Sequence, residues 1–285
     1  MKERRERIIG RLVAVVWLLT ALLPAAAEAQ DRVNLNRVKE LLLAGKPAIG
    51  AICDLPSAPA MAILSQVGFD WLWLDMEHGA ASIETVQLMV QATKGTPTVP
   101  LVRIPWNHHW LAKPVLDTGA MGVITPFVNT KEDATAAVAA LRYPPEGVRG
   151  FLPTFAALRW GLSVPEYLKV ANKEILSIML IEHQEAVEHI EEILSVPGVD
   201  VVFVGMFDLS GSMGLLGQTG HPRVEEAAQK VLAAAKKAKV APGIISLTPD
   251  EINKRIEQGF QFIAVSIDTA LLQSAAKGLV DQIKR

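Results

Sequence analysis

Apolar and polar residues follow two alternating patterns along most of this chain. Short apolar runs, rich in Val, Ile, Leu and aromatic residues, alternate with longer segments whose apolar residues recur at helical spacing. Because the short runs are almost continuously apolar, they are typical of parallel strands that are buried on both faces. They predict eight strands, in the residue ranges 47–53, 69–75, 99–104, 122–127, 176–182, 199–208, 242–246 and 260–266.

Regular alternation of strands and helices predicts an α/β protein built from right-handed β-α-β units. We expect one domain, residues 30–285, folded as a (β/α)8 TIM barrel, since a typical barrel has roughly 250 residues. An open, doubly wound sheet is the alternative. A lead-in helix is predicted at residues 36–44. The stretch 143–164, which contains Pro and Gly, interrupts the alternation, and long loops of this kind are often functional.

Residues 1–29 have the pattern of a secretory signal peptide rather than of the fold. Five Lys and Arg residues lie within the first eleven positions, an apolar stretch covers residues 12–23, and an Ala-Glu-Ala sequence ends at Ala29. These are the three parts of a cleavable leader. The sequence therefore predicts export, with a periplasmic location after processing. An uncleaved N-terminal membrane anchor is the alternative, although the apolar stretch is short for a span of about 20 residues.

The charge of the predicted mature chain excludes some partners. Removing five basic and three acidic residues with the leader leaves 23 Lys and Arg against 27 Asp and Glu. A mildly acidic chain without a basic patch argues against nucleic acid as a partner. Cys53 is the only cysteine, so the chain has no internal disulfide, and we expect this thiol to be buried and inert.

Two acidic residues, Glu182 and Asp208, stand at the ends of two successive apolar runs. A charged helical segment, residues 184–194, connects the runs, so the two strands should be parallel and should end at one rim. The two carboxylates would then lie side by side. Hard oxygen donors in this arrangement favour a divalent cation such as Mg²⁺ or Mn²⁺. The alternative is that both residues are helix N-caps or salt-bridge partners.

Further polar residues follow strands two and three. The active sites of barrel enzymes lie at the carboxyl ends of the strands. Asp75, Glu77 and His78 follow strand two, and Arg103 ends strand three. The sequence therefore predicts that acids, one imidazole and one guanidinium converge at one rim. No Lys stands at a predicted strand end, which disfavours Schiff-base chemistry.

Several motifs at these positions resemble those of a known family. They are residues 68–79 (GFDWLWLDMEHG), 102–105 (VRIP), 142–150 (RYPPEGVRG), 181–182 (IE) and 205–210 (GMFDLS). In this order and spacing the chain resembles the metal-dependent class II pyruvate aldolases, typified by 4-hydroxy-2-oxoheptanedioate aldolase and 2-dehydro-3-deoxyglucarate aldolase and related to the citrate lyase β-subunit. The resemblance extends over residues 46–272.

The resemblance implies a metal-dependent carbon–carbon lyase that cleaves a 4-hydroxy-2-oxo acid to pyruvate and an aldehyde. The cation, Mg²⁺, Mn²⁺ or Co²⁺, would be held by Glu182 and Asp208 and would stabilise the pyruvate enolate as a Lewis acid. His78 matches the acid/base histidine of the family, and Arg103 matches the arginine that contacts the keto oxygen. A homo-oligomer, commonly a hexamer, is also implied.

Other family roles carry over to residues around these positions. Asp75 lies in the same loop as the histidine, and Asp117 matches an aspartate that orients it. Backbone amides from Gly205 through Met206 to Phe207 match the loop that holds the pyruvate carboxylate.

This chain departs from the family pattern beside the predicted metal ligands. The departures are Leu180, His183, Met206 and Phe207. Leu180 replaces a common Gln, Phe207 could narrow the pocket, and His183 is either a third ligand or a residue outside the metal site. These changes leave open a second class of function, in which an exported protein on the same barrel binds 2-oxo acids or dicarboxylates with little or no turnover.

Overall fold

Eight parallel strands form a closed barrel in which each strand pairs with the next and β8 pairs with β1. The structure is a computed structural model and describes residues 35–284. The closed order confirms the predicted (β/α)8 barrel and excludes the open sheet. The signal-peptide prediction falls outside the described residues. The strands are β1 (Ala48–Cys53), β2 (Trp71–Asp75), β3 (Val99–Arg103), β4 (Gly122–Thr125), β5 (Leu176–Ile181), β6 (Val201–Val204), β7 (Ala241–Ile245) and β8 (Phe262–Ile267).

Helices connect the strands on the outside of the barrel. Those before β4 are α1 (Arg37–Leu43), α2 (Ala58–Leu64), α3 (Ile83–Ala92) and α4 (His109–Asp117). Those between β4 and β6 are α5 (Lys131–Leu141), α6 (Thr154–Trp160), α7 (Val164–Glu174), α8 (Gln184–Glu188) and α9 (Ile190–Leu194). The remaining helices are α10 (Met206–Ser212), α11 (Pro222–Ala238), α12 (Pro249–Gln258) and α13 (Asp268–Val280). Among residues 35–284, no helix is both long enough and apolar enough to cross a membrane.

Aromatic rings fill the inside of the barrel. The rings of Trp71 and Phe262 stack with 4.1 Å between centroids, and Phe203 packs edge-on against Phe262. Gly50 lies under this stack, and a Cβ atom on it would stand 2.1 Å from the Trp71 ring. The Trp71 Nε1–H group donates a hydrogen bond to the Ala48 carbonyl, 3.1 Å away. A glycine on β1 therefore makes room for an indole that closes the barrel core beneath the site.

The long stretch 143–164 stabilises the amino-terminal side of the barrel. Arg142, just before it, is buried and donates to the carbonyl of Ile175, immediately before β5. The Arg149 guanidinium is buried against the Tyr143 ring and donates to the Tyr167 hydroxyl group. This packing gives the motif at 142–150 a structural role away from the carboxyl rim. Helix α6 within the stretch was not predicted by the sequence pattern.

Candidate active site

A cavity of about 180 Å³ opens at the carboxyl ends of the strands. The side chains that line it come from the ends of β1, β2, β3, β5 and β6 and from β7 and β8, so no single element forms the site. The cavity brings together nearly all of the residues that the sequence predicted for the site. They are Asp75, His78, Arg103, Glu182, Gly205, Met206, Phe207 and Asp208.

Arg103 is held by two acidic residues from the β2 end. Its Nε atom donates to Asp75 Oδ1 at 2.9 Å, its Nη2 group bonds to Asp75 Oδ2, and Nη1 lies 2.9 Å from Glu77 Oε2. Both partners of the Arg103–Asp75 pair are buried. Burial opposes ionisation of Asp75, yet the hydrogen bonds and charge of Arg103 hold its pKa below the usual value. Asp75 therefore fixes and orients the guanidinium and is poorly suited to act as a base.

Glu182 is a buried carboxylate at the end of β5. Its Oε1 atom accepts a hydrogen bond from the Phe127 backbone N–H group at 2.8 Å. Burial raises the pKa of Glu182 to about 7, and the charges of Glu77 and Asp208 act in the same direction. Gly205 packs against this side chain, since a Cβ atom there would lie 2.8 Å from the Glu182 Cβ atom. Within the described part of the chain, the carboxylate is thus held in place without a salt-bridge partner.

Asp208 lies in the first turn of α10, after β6, and its exposed side chain faces the same cavity as Glu182. The donor set suits a divalent cation that keeps part of its coordination shell for water and substrate, because Mg²⁺ is usually bound through one or two carboxylates. Within residues 35–284, no three His, Cys, Asp or Glu side chains form a complete metal cage. Burial and nearby acids raise the pKa of Glu182, so its ionised form lacks a compensating positive charge. A bound cation would supply that charge and favour the ionised form.

His78 stands at the cavity with an exposed side chain. Its backbone N–H group donates to Asp75 Oδ1 at 3.2 Å, which ties the loop after β2 to the Arg103 pair.

Asp117, which the resemblance assigned to orient this histidine, lies away from the cavity. It ends α4, which runs back toward the amino-terminal side of the barrel, and its Oδ1 atom pairs with Arg149 Nη2 at 3.0 Å. Within one chain, Asp117 therefore holds Arg149 and does not contact His78.

The loop expected to hold the pyruvate carboxylate offers fewer free amides than expected. The Gly205 N–H group donates to the Ile181 carbonyl at 3.1 Å, so β5 already uses this donor. Met206 and Phe207 begin α10, where N–H groups have no acceptor within the helix. The expectation for Gly205 as an amide donor is therefore corrected, whereas Met206 and Phe207 retain donors beside the cavity.

Phe127 and Asp268 were not predicted from the sequence. Phe127 adopts a left-handed backbone conformation with φ of 49°, rare for a non-glycine residue, and this conformation presents its N–H group to Glu182. Asp268 is buried at the start of α13 and accepts from the N–H groups of Asp54 and Leu55. It thereby fixes the loop after β1. Asp268 directly follows the last strand, so the rule of inspecting strand ends would have identified it, but no sequence signal marked Phe127.

Asp54 and Trp73 also line the cavity, although the sequence pattern did not mark either as a site residue. Burial raises the pKa of Asp54, as do the nearby carboxylates of Asp75 and Asp268. Trp73 is buried with the Arg103 guanidinium 5.2 Å from its ring centroid, and its Nε1–H group has no acceptor among the described residues. Acidic and aromatic groups thus share one small space.

Two of the departures from the family pattern have clear positions. His183 is the N-cap of α8, where its Nδ1 atom accepts from the Glu185 N–H group at 3.3 Å. This bond supports its placement outside the metal site. Leu180 is buried and contributes an apolar wall to the cavity.

Cys53 is also buried, and burial raises the pKa of its thiol well above the usual value, which fits the expected inert role.

Residues 54–275 match the model of the HpcH/HpaI aldolase/citrate lyase family. The chain belongs to this family. A 4-hydroxy-2-oxo-heptane-1,7-dioate aldolase from Shigella sonnei is 39% identical over 245 residues, which cover 86% of this chain and 93% of the relative. A 5-keto-4-deoxy-D-glucarate aldolase from Klebsiella pneumoniae is 38% identical over 250 residues, covering 88% and 97% of the two chains.

The family membership also holds at the level of structure. The crystal structure of an HpcH/HpaI aldolase/citrate lyase family protein from Burkholderia cenocepacia J2315 superposes with a TM-score of 0.81 at 35% identity. The match covers 87% of this chain and 98% of that one. The predicted family and the predicted barrel are therefore both confirmed.

Proposed function

We propose that this HpcH/HpaI family member is a divalent-metal-dependent aldolase that cleaves a 4-hydroxy-2-oxo acid to pyruvate and an aldehyde. One observation carries the proposal: Glu182, directly after β5, and Asp208, in the first turn of α10 after the adjacent strand β6, share a small cavity with Arg103 and His78. The curated relatives with 38–39% identity are named as aldolases, which supports the same reaction class.

Glu182 and Asp208 would hold the cation, since they are the paired hard donors at the cavity. When bound, a divalent cation supplies Lewis acidity where negative charge develops on the substrate. Oxygen donors alone favour Mg²⁺ or Mn²⁺, with Co²⁺ as a further option from the resemblance.

The protein residues divide the remaining work. Arg103, fixed by Asp75 and Glu77, places a permanent positive charge beside the cavity where the keto oxygen becomes negative. His78 would accept the 4-hydroxyl proton in cleavage and return it in aldol addition, because an imidazole can act as both a general base and a general acid. The free N–H groups of Met206 and Phe207 would bind the substrate carboxylate. The buried walls around Glu182 keep bulk water away from these charges.

Pyruvate release from a panel of 4-hydroxy-2-oxo acids, measured with added Mg²⁺ or Mn²⁺ and with chelator, tests this proposal. We expect release that chelator abolishes and added metal restores. Metal binding without turnover of any panel member would instead support the non-catalytic binder. His78→Ala should lose turnover but retain metal affinity, and Asp208→Ala should lose both.

We infer that residues 1–29 direct export and are removed after Ala29. The basic start, the apolar stretch at 12–23 and the small residues before the cleavage point support this inference. Fractionation of cells that express the full chain, followed by intact mass measurement, tests it. A mature protein that begins at Gln30 in the periplasm is expected, whereas a full-length protein in the membrane fraction would support the uncleaved anchor.

We also propose a homo-oligomer, for which a hexamer is the expected form. Large apolar side chains are exposed in the segment 148–158, and subunit contacts commonly cover such residues. They are Val148, Phe151, Leu152, Phe155 and Leu158. Light scattering after size-exclusion chromatography measures the assembly mass, and a monomer at micromolar concentration would contradict the proposal.

A further inference from the structure

The substrate cavity is closed off by large side chains at its base. Trp73, Leu180 and Phe203 are all buried there, and the rings of Trp73 and Phe203 meet edge-on with centroids 5.2 Å apart. At roughly 30 Å³ per water molecule, about 180 Å³ gives room for a molecule the size of pyruvate. The aldehyde half of a substrate must therefore lie toward the mouth.

Charge at the cavity is strongly unbalanced toward acids. Asp54, Asp75, Glu182 and Asp208 line it, and Glu77 contacts the same Arg103 guanidinium. Of the described residues that line the cavity, Arg103 alone carries a permanent positive charge, and its Nε, Nη1 and Nη2 atoms already face the carboxylates of Asp75 and Glu77. Among the described residues that line the cavity, a second carboxylate on the substrate would therefore find no cationic side chain that lacks an acidic partner. It would also approach the acidic groups that attract the metal.

Apolar side chains form part of the mouth of the cavity, next to the exposed side chains of His78 and Asp208. Phe207, about half exposed, together with Ile245 and Ile267, borders the opening. The rings of Trp106 and Phe127 pack 5.1 Å apart at the ends of β3 and β4, beside Glu182, and Trp106 is also about half exposed. Exposed aromatic side chains next to a binding cavity favour contact with hydrocarbon.

We propose that the aldehyde half of the substrate is uncharged and mainly hydrocarbon, so that aldehydes with a distal carboxylate are disfavoured. This inference rests on the proposed aldolase function and assigns its substrate class. Cleavage breaks the C3–C4 bond, leaves its electron pair on C3 of the pyruvate fragment, and converts the C4 hydroxyl to the aldehyde as its proton leaves. C3 then takes up a proton. Only groups beyond C4 distinguish one aldehyde from another, and these groups meet Asp54, Phe207 and the other apolar side chains at the mouth.

A matched pair of aldehydes tests the assignment in the direction of aldol addition to pyruvate. Succinic semialdehyde and 4-methylpentanal have the same length and branching, but one ends in a carboxylate and the other in an isopropyl group. We expect kcat/KM for 4-methylpentanal to exceed that for succinic semialdehyde by at least about tenfold, because the described lining of the cavity offers the carboxylate no free cationic side chain. Asp54→Asn should lower this ratio at least threefold by removing one repelling charge. Phe207→Ser should lower it by removing hydrocarbon contact.

Exchange of the pyruvate methyl protons with solvent deuterium tests the aldolase function separately from the aldehyde preference, since exchange requires no aldehyde. If the methyl protons exchange but the ratio of kcat/KM for 4-methylpentanal to kcat/KM for succinic semialdehyde is one or less, the hydrocarbon assignment is wrong while the aldolase function stands. An unchanged ratio in both variants would overturn the roles of Asp54 and Phe207. Absence of both exchange and addition would overturn the aldolase function and this inference with it.

Discussion

Replacing Glu182 with Gln should stabilise the metal-free protein at pH 8 while it abolishes metal-dependent activity. The buried carboxylate has a pKa of about 7 instead of about 4.5, because burial and nearby acids oppose its charge. At pH 8 the folded protein must hold this charge, whereas glutamine is neutral and of similar shape. The side-chain amide oxygen of the introduced glutamine could still accept the bond from the Phe127 N–H group.

The magnitude follows from the linkage between protonation and folding. A group whose pKa is raised on folding contributes stability below its unfolded pKa and loses that contribution as pH rises through the folded value. For Glu182 the loss falls between about pH 4.5 and pH 7. At about 1.4 kcal/mol per pKa unit, Glu182→Gln should add at most about 3.5 kcal/mol to the free energy of unfolding at pH 8. The gain should nearly vanish at pH 4.5.

Urea denaturation with chelator present, at pH 5 and at pH 8, measures these free energies. Glu188→Gln is the matched control, because Glu188 is exposed on α8 and its replacement should change stability by less than about 0.5 kcal/mol. Added Mg²⁺ should stabilise the wild type at pH 8 and leave Glu182→Gln unchanged. A variant that is equally or less stable than wild type at pH 8, with chelator present, would refute the account of an uncompensated buried carboxylate.

Three further substitutions test other parts of the molecule. Asp75→Asn removes one partner of the buried Arg103 pair and should cost about 3–5 kcal/mol of folding stability. We expect the lower end of this range because Glu77 remains beside Arg103. A loss of less than about 1 kcal/mol in urea denaturation would contradict a stabilising role for the pair. Gly50→Ala places a methyl group 2.1 Å from the Trp71 ring and should lower stability, measured by thermal unfolding, by at least about 1–3 kcal/mol. Gly278→Ala is the control, because Gly278 has an open position on α13 and its replacement should have no such cost. Gly205→Ala should weaken Mg²⁺ binding measured by calorimetry, because its new Cβ atom would displace Glu182, and unchanged affinity would show that this close contact has no part in holding the carboxylate.

The fold was predictable because the strands are mostly apolar runs and the barrel buries nearly all of their residues on both faces. Strand ends therefore appear in the sequence as the first polar residues after each run. This is why Asp75, Arg103 and Glu182 were located from the sequence and meet at one cavity. Helix α6 escaped prediction because it lies inside the stretch 143–164, which was interpreted as a long loop on account of its Pro and Gly residues.

Backbone geometry was the part of the site that residue types could not reveal. Phe127 holds Glu182 through its N–H group, which every residue except proline has, so nothing about phenylalanine signals the contact. The left-handed φ of this residue would ordinarily predict glycine or asparagine. Gly205 shows the reverse case, because its place in the GMFDLS motif implied an amide donor for the substrate. The β5 carbonyl of Ile181 occupies that donor instead.

The position of Asp117 shows why a residue carried over from a family motif requires a topological check. In a β/α unit the helix returns the chain to the amino ends of the strands, so a residue at the end of α4 is separated from the carboxyl rim by the length of a strand. A strand of five residues, such as β3, rises about 16 Å at roughly 3.3 Å per residue. A hydrogen bond between Asp117 and His78 of one chain is incompatible with this separation. The buried guanidinium of Arg149 accounts for an acid at this position, because a buried charge requires a partner.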